Sequence, residues 1–218
     1  GESHPGSVLA LARIGGEPCV VLGQCREGQT LENPLDAAAL REARRGLRLS
    51  RELRLPLLTV IDTPGAALSK EAEERGLAGE IARTLSELLT LPTPTVSLLM
   101  GQGAGGIALA LVPADRVLAS EHAWLAPLPP EGASAIVHRD TEHAAELAGA
   151  QGVRARDLLR NGIVDRVVPE PPDAAADPDA FRAGLLDAVS AELRRVVSAD
   201  GELRLAERAE KYRTLGVR

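Results

Sequence analysis

The chain has 218 residues, of which 44% are hydrophobic but only 1% aromatic, and its formal net charge is −6. This length suits one domain with one hydrophobic core rather than two. The acidic balance argues against a general binder of nucleic-acid phosphates. No apolar run approaches the roughly 20 residues that a membrane-spanning helix requires, so we expect neither nucleic acid nor a membrane as a partner.

The two cysteines and the first residues indicate the compartment. Cys19 and Cys25 are six positions apart, which along an extended strand separates their Cα atoms by about 20 Å, too far for a disulfide. Residues 1–7 are polar and do not resemble a secretory signal peptide. These observations predict a reducing, cytoplasmic environment.

Hydrophobic periodicity and turn residues predict an alternation of strands and helices. Gly15 and Gly16 join the first two strands and supply the positive φ of a hairpin turn. Asn33 as an N-cap and Pro34 at the first helical position begin the first helix. In chain order, the predicted elements are strands 7–14 and 19–23, helix 34–53, strand 57–61, helix 72–89, strand 95–100, helix 107–111, strands 116–119 and 123–126, helices 131–138, 141–148 and 154–160, strand 163–168, and helices 181–197 and 202–215. This alternation indicates the α/β class.

A Pro-rich stretch separates the last strand from the last two helices. Residues 169–179 contain four prolines, which is typical of a linker. We therefore divide the chain into a core (1–168), a linker (169–180) and C-terminal helices (181–218). These helices look surplus to one core, so we expect them to dock on the core or on a partner.

Two backbone features follow predicted buried strands. One is residues 62–66, Asp-Thr-Pro-Gly-Ala, and the other is residues 101–106, Gly-Gln-Gly-Ala-Gly-Gly. A glycine turn that opens a helix directs unsatisfied N–H groups and the positive end of the helix dipole at whatever lies above it. The pair therefore predicts a site for an anion or oxyanion, although close packing of a helix on a sheet would also explain the glycines.

Side-chain motifs of familiar enzymes are absent from the sequence. There is no Walker loop and no Gly-x-Ser-x-Gly elbow, and the cysteines and histidines lack metal-ligand spacing, so we expect no metal. The spacing Gly101, Gly103, Gly106 matches a dinucleotide fingerprint, but the acidic residue that should follow it is not suitably placed. An enzyme built this way must rely on positioning and on backbone stabilisation of negative charge.

Several polar residues are given structural roles. We expect Asp62 to cap its own turn and Glu131 to cap a helix start. Isolated in sequence, the histidines are expected to have surface or capping roles: His122, His138 and His143. A row of arginines predicts either a solvated helix face or a surface for a phosphorylated ligand: Arg41, Arg44, Arg45, Arg48, Arg51 and Arg54.

Several motifs, taken in order, carry a resemblance to a known family. They are residues 61–66 (Ile-Asp-Thr-Pro-Gly-Ala), 72–76 (Ala-Glu-Glu-Arg-Gly), 81–83 (Ile-Ala-Arg), 101–110, 130–136 (Pro-Glu-Gly-Ala-Ser-Ala-Ile) and 164–170. Their order and spacing resemble the carboxyltransferase α subunit of bacterial biotin-dependent acetyl-CoA carboxylase, or the C-terminal carboxyltransferase half of a fused polypeptide. The similarity runs from about residue 8 to the end.

This resemblance implies a fold and a reaction. The fold is crotonase-like (the ClpP/crotonase type), an α/β superhelix of ββα units in a single domain with C-terminal helices. The reaction transfers a carboxyl group from carboxybiotin to acetyl-CoA, or to another short acyl-CoA, to give malonyl-CoA.

The resemblance also implies a site and partners. Gly105 and Gly106 would donate backbone N–H groups to the biotin ureido oxygen, as oxyanion donors. The implied biotin-binding positions are Gly65, Ala66, Gly103, Ala104 and Gly132. The implied partners are a carboxyltransferase β half, separate or fused, a biotin carboxyl carrier protein, a biotin carboxylase and acyl-CoA, in an α2β2-type oligomer. Trp124, six residues before Pro130, either packs in the core or forms a wall of the biotin pocket.

Three other functions remain open. A stand-alone crotonase-type acyl-CoA hydratase or isomerase would need a carboxylate above the oxyanion site. A malonate decarboxylase half-subunit would act on an acyl group held by a carrier instead of CoA. A non-catalytic half would only complete the fold of a partner.

Overall fold

One sheet of seven strands organises the computed structural model, which describes residues 4–30, 32–67, 69–171 and 174–216. The strands are β1 (Ser7–Ile14), β2 (Glu17–Gln24), β3 (Leu57–Thr63), β4 (Thr95–Ala104), β5 (Arg116–Ser120), β6 (Trp124–Ala126) and β7 (Arg166–Val168). The helices are α1 (Ala37–Leu53), α2 (Lys70–Glu74), α3 (Leu77–Leu89), α4 (Gly105–Leu109), α5 (Pro130–Val137), α6 (Ala144–Gln151), α7 (Ala155–Arg160), α8 (Pro178–Ser198) and α9 (Gly201–Arg213). The predicted α/β class is confirmed.

The sheet has the order β1-β2-β3-β4-β5-β7, and β6 pairs with the end of β4. Among the paired strands of the described residues, only β1 and β2 are antiparallel, and the glycines of their turn have φ values of 58° and 91°, as predicted for Gly15 and Gly16. The remaining pairs are parallel, so the carboxyl ends of β3 and β4 lie side by side, with Thr63 opposite Gly103.

The first helix begins later than predicted. Its N-cap is Asp36, whose carboxylate accepts hydrogen bonds from the amides of Ala38 (2.8 Å) and Ala39 (3.4 Å). The predicted start at Asn33 and Pro34 is wrong, because Leu35 forms a β-bridge with Ala66 and therefore has to remain extended. The predicted end at residue 53 is confirmed.

The predicted helix 72–89 is two helices. Ser69 caps α2 by accepting a hydrogen bond from the amide of Ala72, and Gly76, at φ 81°, separates α2 from α3. A left-handed residue cannot continue an α-helix, and glycine adopts that conformation without a Cβ penalty. The apolar spacing correctly predicted α3 but gave no sign of the break.

The glycine-rich segment 101–106 is mostly strand rather than turn. Residues 101–104 continue β4, since they pair with β3 on one side and with β6 on the other. A Cβ on Gly103 would lie 2.8 Å from the Trp124 carbonyl oxygen, so the close approach of β6 requires a glycine there. The helix predicted at 107–111 therefore begins two residues earlier, at Gly105, and ends at Leu109.

The helix α8 belongs to the core of this chain. Leu185, Val189 and Leu193 of α8 are buried in one cluster with sheet residues such as Val96 and Leu118. The expectation of a helix surplus to one core is thus wrong for α8. None of the helices in the described part of the chain is long and apolar enough to span a membrane.

A buried ion cluster anchors α9. Arg208 has a fully buried side chain, and it donates from Nε to Asp115 Oδ1 at 2.8 Å and from Nη1 to the Leu88 and Leu91 carbonyl oxygens. Arg204 donates to the other oxygen of Asp115 at 2.8 Å. Burial lowers the pKa of Arg208, and the charge of Asp115 opposes that shift. One carboxylate therefore pairs with two buried guanidinium groups.

Replacing Asp115 with Asn should destabilise the protein, because it leaves two buried cations without their counter-charge. Breaking a buried ion pair from one side costs about 3–5 kcal/mol, and we expect a decrease of this size in the free energy of unfolding of Asp115→Asn, measured by urea denaturation with circular dichroism. The control is Asp179→Asn, which removes an exposed ion pair with Arg182 and should leave stability unchanged. Equal stability of Asp115→Asn and the parent chain would contradict the anchoring role.

Candidate functional site

The two predicted backbone features meet at the carboxyl ends of β3 and β4. Gly65 lies in the turn after β3 with φ 127°, and Gly105 opens α4 with φ 73°. A Cβ built on Gly105 would lie 3.9 Å from the Gly65 Cα, and a Cβ on Gly65 would lie 3.9 Å from the Ala104 Cβ. The expected juxtaposition of these two segments is therefore present.

Thr63, not Asp62, caps the turn after β3. The Thr63 hydroxyl oxygen accepts a hydrogen bond from the Gly65 amide at 3.1 Å. The Asp62 carboxylate instead accepts one from the amide of Gln102 on β4 at 2.9 Å. The predicted capping role of Asp62 is wrong, because the β3–β4 register shifts between Ile61 and Thr63 and brings the β4 backbone within reach of this carboxylate.

A loop before α1 forms the other wall of the site. The Ala67 amide donates to the Leu35 carbonyl oxygen at 2.8 Å. Gln29 is buried, and its side-chain Nε2 donates to the backbone oxygens of Asp62 (2.9 Å) and Cys25 (3.1 Å). This loop is thus tied to both ends of the turn that contains Gly65. Sequence reasoning missed Gln29, which stands in a polar stretch without periodicity.

His4 also holds this loop in place, through hydrogen bonds to its backbone. It is buried, its Nδ1 accepts a hydrogen bond from the Gly6 amide at 2.9 Å, and its Nε2 lies 3.1 Å from the Pro34 carbonyl oxygen. Because Nδ1 is the acceptor, Nε2 carries the proton and donates it to Pro34. The partners are 30 residues apart in sequence, and no local pattern marks this contact.

A cavity of about 520 Å³ opens between the loop and the turn. Its lining residues are Arg26, Gln29, Thr30, Pro34, Pro64, Gly65, Ala66 and Ala67. Among these described residues Arg26 alone is ionisable. The cavity is therefore lined by mostly small, uncharged side chains, and Arg26 adds one positive charge.

The other predicted site residues lie around this pair at different depths. Gly103 and Ala104 are buried in β4. Gly106 packs α4 on α3, since a Cβ there would lie 2.9 Å from the Ile81 Cδ1. The first N–H groups of α4 have no acceptor within the helix. Gly132 lies on α5, where a Cβ would contact Leu128 at 3.3 Å.

Trp124 is half-buried and lines a second cavity, of about 440 Å³. Pro130, Glu131 and Arg154 contribute to the same cavity. Pro130 is the first residue of α5, and no side chain forms a capping hydrogen bond there. The predicted helix cap by Glu131 is therefore limited to the favourable position of its charge in the first turn.

His122 and His138 are exposed, in agreement with the predicted surface roles. The rings of His138 and His143 stack with centroids 4.1 Å apart, and His143 Nδ1 lies 2.9 Å from the Asp140 carboxylate. The hydrogen bond to Asp140 raises the pKa of His143. His122 pairs with Glu170 at 3.2 Å on the surface. In the described part of the chain, no group of three or more His, Cys, Asp or Glu side chains is arranged to hold a metal ion.

The arginine row of α1 includes one structural contact. Arg44 binds Glu80 at 2.9 Å and Glu87 at 2.5 Å, and so ties α1 to α3. The hydrogen bond to Glu87 is the main reason why the pKa of Arg44 is raised. The predicted solvated face therefore does not include Arg44, whose guanidinium group already binds two carboxylates.

Comparison with known sequences identifies the relatives of this chain. The family described as acetyl co-enzyme A carboxylase carboxyltransferase-like matches residues 4–216. A probable biotin-dependent acyl-coenzyme A carboxylase beta3 subunit of Mycobacterium tuberculosis (strain ATCC 25618 / H37Rv) is 59% identical over 211 residues, which are 97% of this chain and 43% of that protein. The acetyl-coenzyme A carboxylase carboxyl transferase subunit alpha of Methylobacterium nodulans is 39% identical over 219 residues, 97% of this chain and 69% of that protein. The chain thus spans less than half of its mycobacterial relative.

Solved structures with the same fold include parts of two enzymes. Transcarboxylase 12S, solved as a hexamer assembly, matches with a TM-score of 0.74 and 20% identity over 89% of this chain and 37% of that chain. A chain of a Pseudomonas malonate decarboxylase hetero-tetramer matches with a TM-score of 0.71 and 19% identity, over 97% of this chain and 88% of that chain. These similarities confirm the predicted crotonase-like fold. The sequence match over residues 4–216 shows that the chain belongs to the acetyl-CoA carboxylase carboxyltransferase-like family.

Proposed function

We propose that this chain is the half of a biotin-dependent carboxyltransferase that holds carboxybiotin, and that it acts with a partner half that holds acyl-CoA. The observation that carries the proposal is the approach of Gly65 to Gly105 at the N-terminus of α4. The product would be malonyl-CoA when the acceptor is acetyl-CoA. The relatives' names support this reaction class.

The residues present fit the flat ureido ring of biotin. A Cβ on Gly65 or Gly105 would meet no atom closer than 3.9 Å, so the space in front of both is open. Ala66 adds only a methyl group, and Gly103 and Ala104 support α4 from within the sheet. We assign Gly65, Ala66, Gly103 and Ala104 to biotin binding, and Gly132 as a more distant contributor on α5.

The chain contributes hydrogen-bond donors rather than a catalytic side chain. Bound carboxybiotin supplies the carboxyl group and, once that group has left, the base for the acyl-CoA α-proton. In this proposal the amides of Gly105 and Gly106, at the positive end of α4, stabilise negative charge on the ureido oxygen. One such donor is commonly worth about 3–4 kcal/mol in the transition state.

Two observations bear on the alternatives. A crotonase-type hydratase needs a carboxylate at the site, and the described residues that line the cavity include none. The malonate decarboxylase half-subunit is the second candidate, because its solved chain matches this one over most of both lengths. Parallel assays with malonyl carrier protein and malonyl-CoA distinguish the malonate decarboxylase from the carboxyltransferase, because each enzyme accepts a different acyl carrier.

We further propose that the partners are a carboxyltransferase β half, separate or fused, a biotin carboxyl carrier protein and a biotin carboxylase, in an α2β2-type oligomer. This chain covers 43% of the length of its mycobacterial relative, which supports the proposal that a second half takes part in the reaction. A groove formed by one half alone would leave the cavity beside Gly65 open to solvent on one side, and a second half would close it.

Activity should require the partner half. Mixed with it, the chain should show decarboxylation of malonyl-CoA that depends on biocytin, and each half alone should show none. Size-exclusion chromatography of the mixture should give a complex at micromolar concentration. A mixture that contains folded proteins but lacks biocytin-dependent turnover would refute the proposed function.

Replacing Gly105 with Ala should strongly reduce turnover without unfolding the protein. At φ 73° an added Cβ is disfavoured, so the backbone has to shift and the α4 amides move away from the ureido oxygen. We expect kcat of the complex to decrease about 100-fold or more, as for loss of one oxyanion donor.

Gly16→Ala is the matched control. Gly16 also has a positive φ, 91°, in the β1–β2 turn, and a Cβ there would meet nothing within 4 Å. Both variants carry a similar backbone penalty, so thermal unfolding should shift alike while only Gly105→Ala loses activity. Full activity of Gly105→Ala would favour the non-catalytic half.

A further inference from the structure

We propose that a cavity between the start of β5 and the helices α8 and α9 binds a small divalent oxyanion, of the chemical class that includes inorganic phosphate and phosphate monoesters. This α8–α9 cavity has a volume of about 270 Å³. Arg116, the first residue of β5, and Asp165, directly before β7, line it. Because β4, β5 and β7 are parallel, the cavity lies at the opposite end of the sheet from Gly105, which follows the end of β4. None of the residues assigned to carboxybiotin lines it.

Positive charge exceeds negative charge on the wall of the α8–α9 cavity. Five of its described lining side chains are basic: Arg116, Arg195, Arg204, Arg208 and Lys211. Three are acidic: Asp115, Asp165 and Glu207. In the buried part a single carboxylate pairs with two guanidinium groups, since the side chains of Asp115, Arg204 and Arg208 are 3%, 6% and 0% exposed. Unbalanced charge in a poorly solvated site is unfavourable, so the cavity attracts an anion.

The charges behind the wall hold the cations in place without cancelling their excess. Arg116 donates from Nε to Glu192 at 2.8 Å and pairs with Asp165 at 3.2 Å. Glu192 also lies 3.9 Å from Arg166 Nη1, and these two residues add one charge of each sign. Arg208 donates to two backbone carbonyl oxygens. A ligand therefore meets cationic groups that are already ordered, which lowers the entropic cost of binding.

Several of the lining cations keep donors that no described protein group accepts. Arg195 interacts within the described part of the chain only through its backbone oxygen, which accepts a hydrogen bond from the Ser198 hydroxyl at 3.0 Å. Arg204 Nε is buried and has no hydrogen-bond partner among the described residues. Lys211 Nζ donates to Asp165 at 2.7 Å, and an ammonium group has three donors. A buried donor without an acceptor is the exception in folded proteins, and an oxyanion is the kind of acceptor that is missing.

The size and charge of the cavity favour a small, divalent ligand. Its volume is below the roughly 300–1,000 Å³ of pockets for drug-sized molecules. Guanidinium groups form paired hydrogen bonds with two oxygens of one oxyanion, which chloride cannot accept. The exposed Glu207 would repel the further charges of a long polyanion. Inorganic phosphate and a phosphate monoester share the required group, and they are compared as separate probes.

The test is isothermal titration of the full chain with inorganic phosphate, at an ionic strength held constant with sodium chloride. Arg195→Gln should weaken phosphate binding about tenfold or more, because it removes a charged donor group, and Arg195→Lys should recover part of the loss. Thermal unfolding of Arg195→Gln without phosphate should match that of the parent chain, since this side chain is exposed. Phosphate should raise the unfolding temperature of the parent chain more than sodium chloride does.

Arg194→Gln is the matched control. Arg194 is the preceding residue of α8, it is also exposed, and it does not line the cavity. It points toward the β1–β2 turn, where a Cβ on Gly15 would lie 3.2 Å from its Nη1. The control removes the same charge from the same helix, so it should bind phosphate as the parent chain does. A second titration with glycerol 3-phosphate identifies the source of the group: tighter binding than inorganic phosphate assigns a monoester, and weaker binding assigns the free ion.

Two results would overturn the anion site. One is equal phosphate affinity of Arg195→Gln and Arg194→Gln, and the other is stabilisation by phosphate that does not exceed that by sodium chloride. The measurement follows binding rather than turnover, so it is independent of the carboxyltransferase reaction. A chain without biocytin-dependent turnover that binds phosphate through Arg195 would refute the proposed function and support the anion site.

Discussion

The parallel pairing of β3 with β4 is the constraint on which the site depends. It places Thr63 opposite Gly103, so the turn after β3 and the start of α4 leave the sheet at the same edge. The Asp62 carboxylate accepts a hydrogen bond from the Gln102 amide where the register shifts, and so fixes the two strand ends against each other. A slip of one residue in this register would turn Gly65 away from Gly105. The hydrogen bond to Gln102 therefore explains why the carboxylate of Asp62 lies within a strand.

Local patterns were sufficient for the elements that frame the site. The Gly15-Gly16 hairpin, the buried strand β3 and the apolar face of α3 follow from turn chemistry and periodicity, which act over a few residues. The two glycine-containing segments were recognised because each follows a predicted buried strand, although close packing of a helix on the sheet would also have explained their glycines. Motif order then identified the family, a conclusion that spacing alone would not support.

Contacts between distant residues could not be read from the sequence. Asp62 looked like a turn cap, yet its partner is 40 residues away on β4. Gln29 reaches the Asp62 carbonyl oxygen across 33 residues, and Arg208 reaches Asp115 across 93. Polar side chains of this kind carry no periodicity, and their partners are decided by topology. The division of the chain into core, linker and terminal helices stays a prediction, although α8 begins at Pro178, within the proposed linker.

The scarcity of aromatic residues makes Trp124 a natural optical reporter. It is the single tryptophan of the chain, it is half-buried, and it stands opposite Gln102 in the ladder that ends at Ala104, next to Gly105. Indole emission responds to changes in local polarity, and here the signal comes from one place in the sheet. Movement at the start of α4 is thus visible in the intrinsic fluorescence of the unlabelled chain, without the background of other indoles.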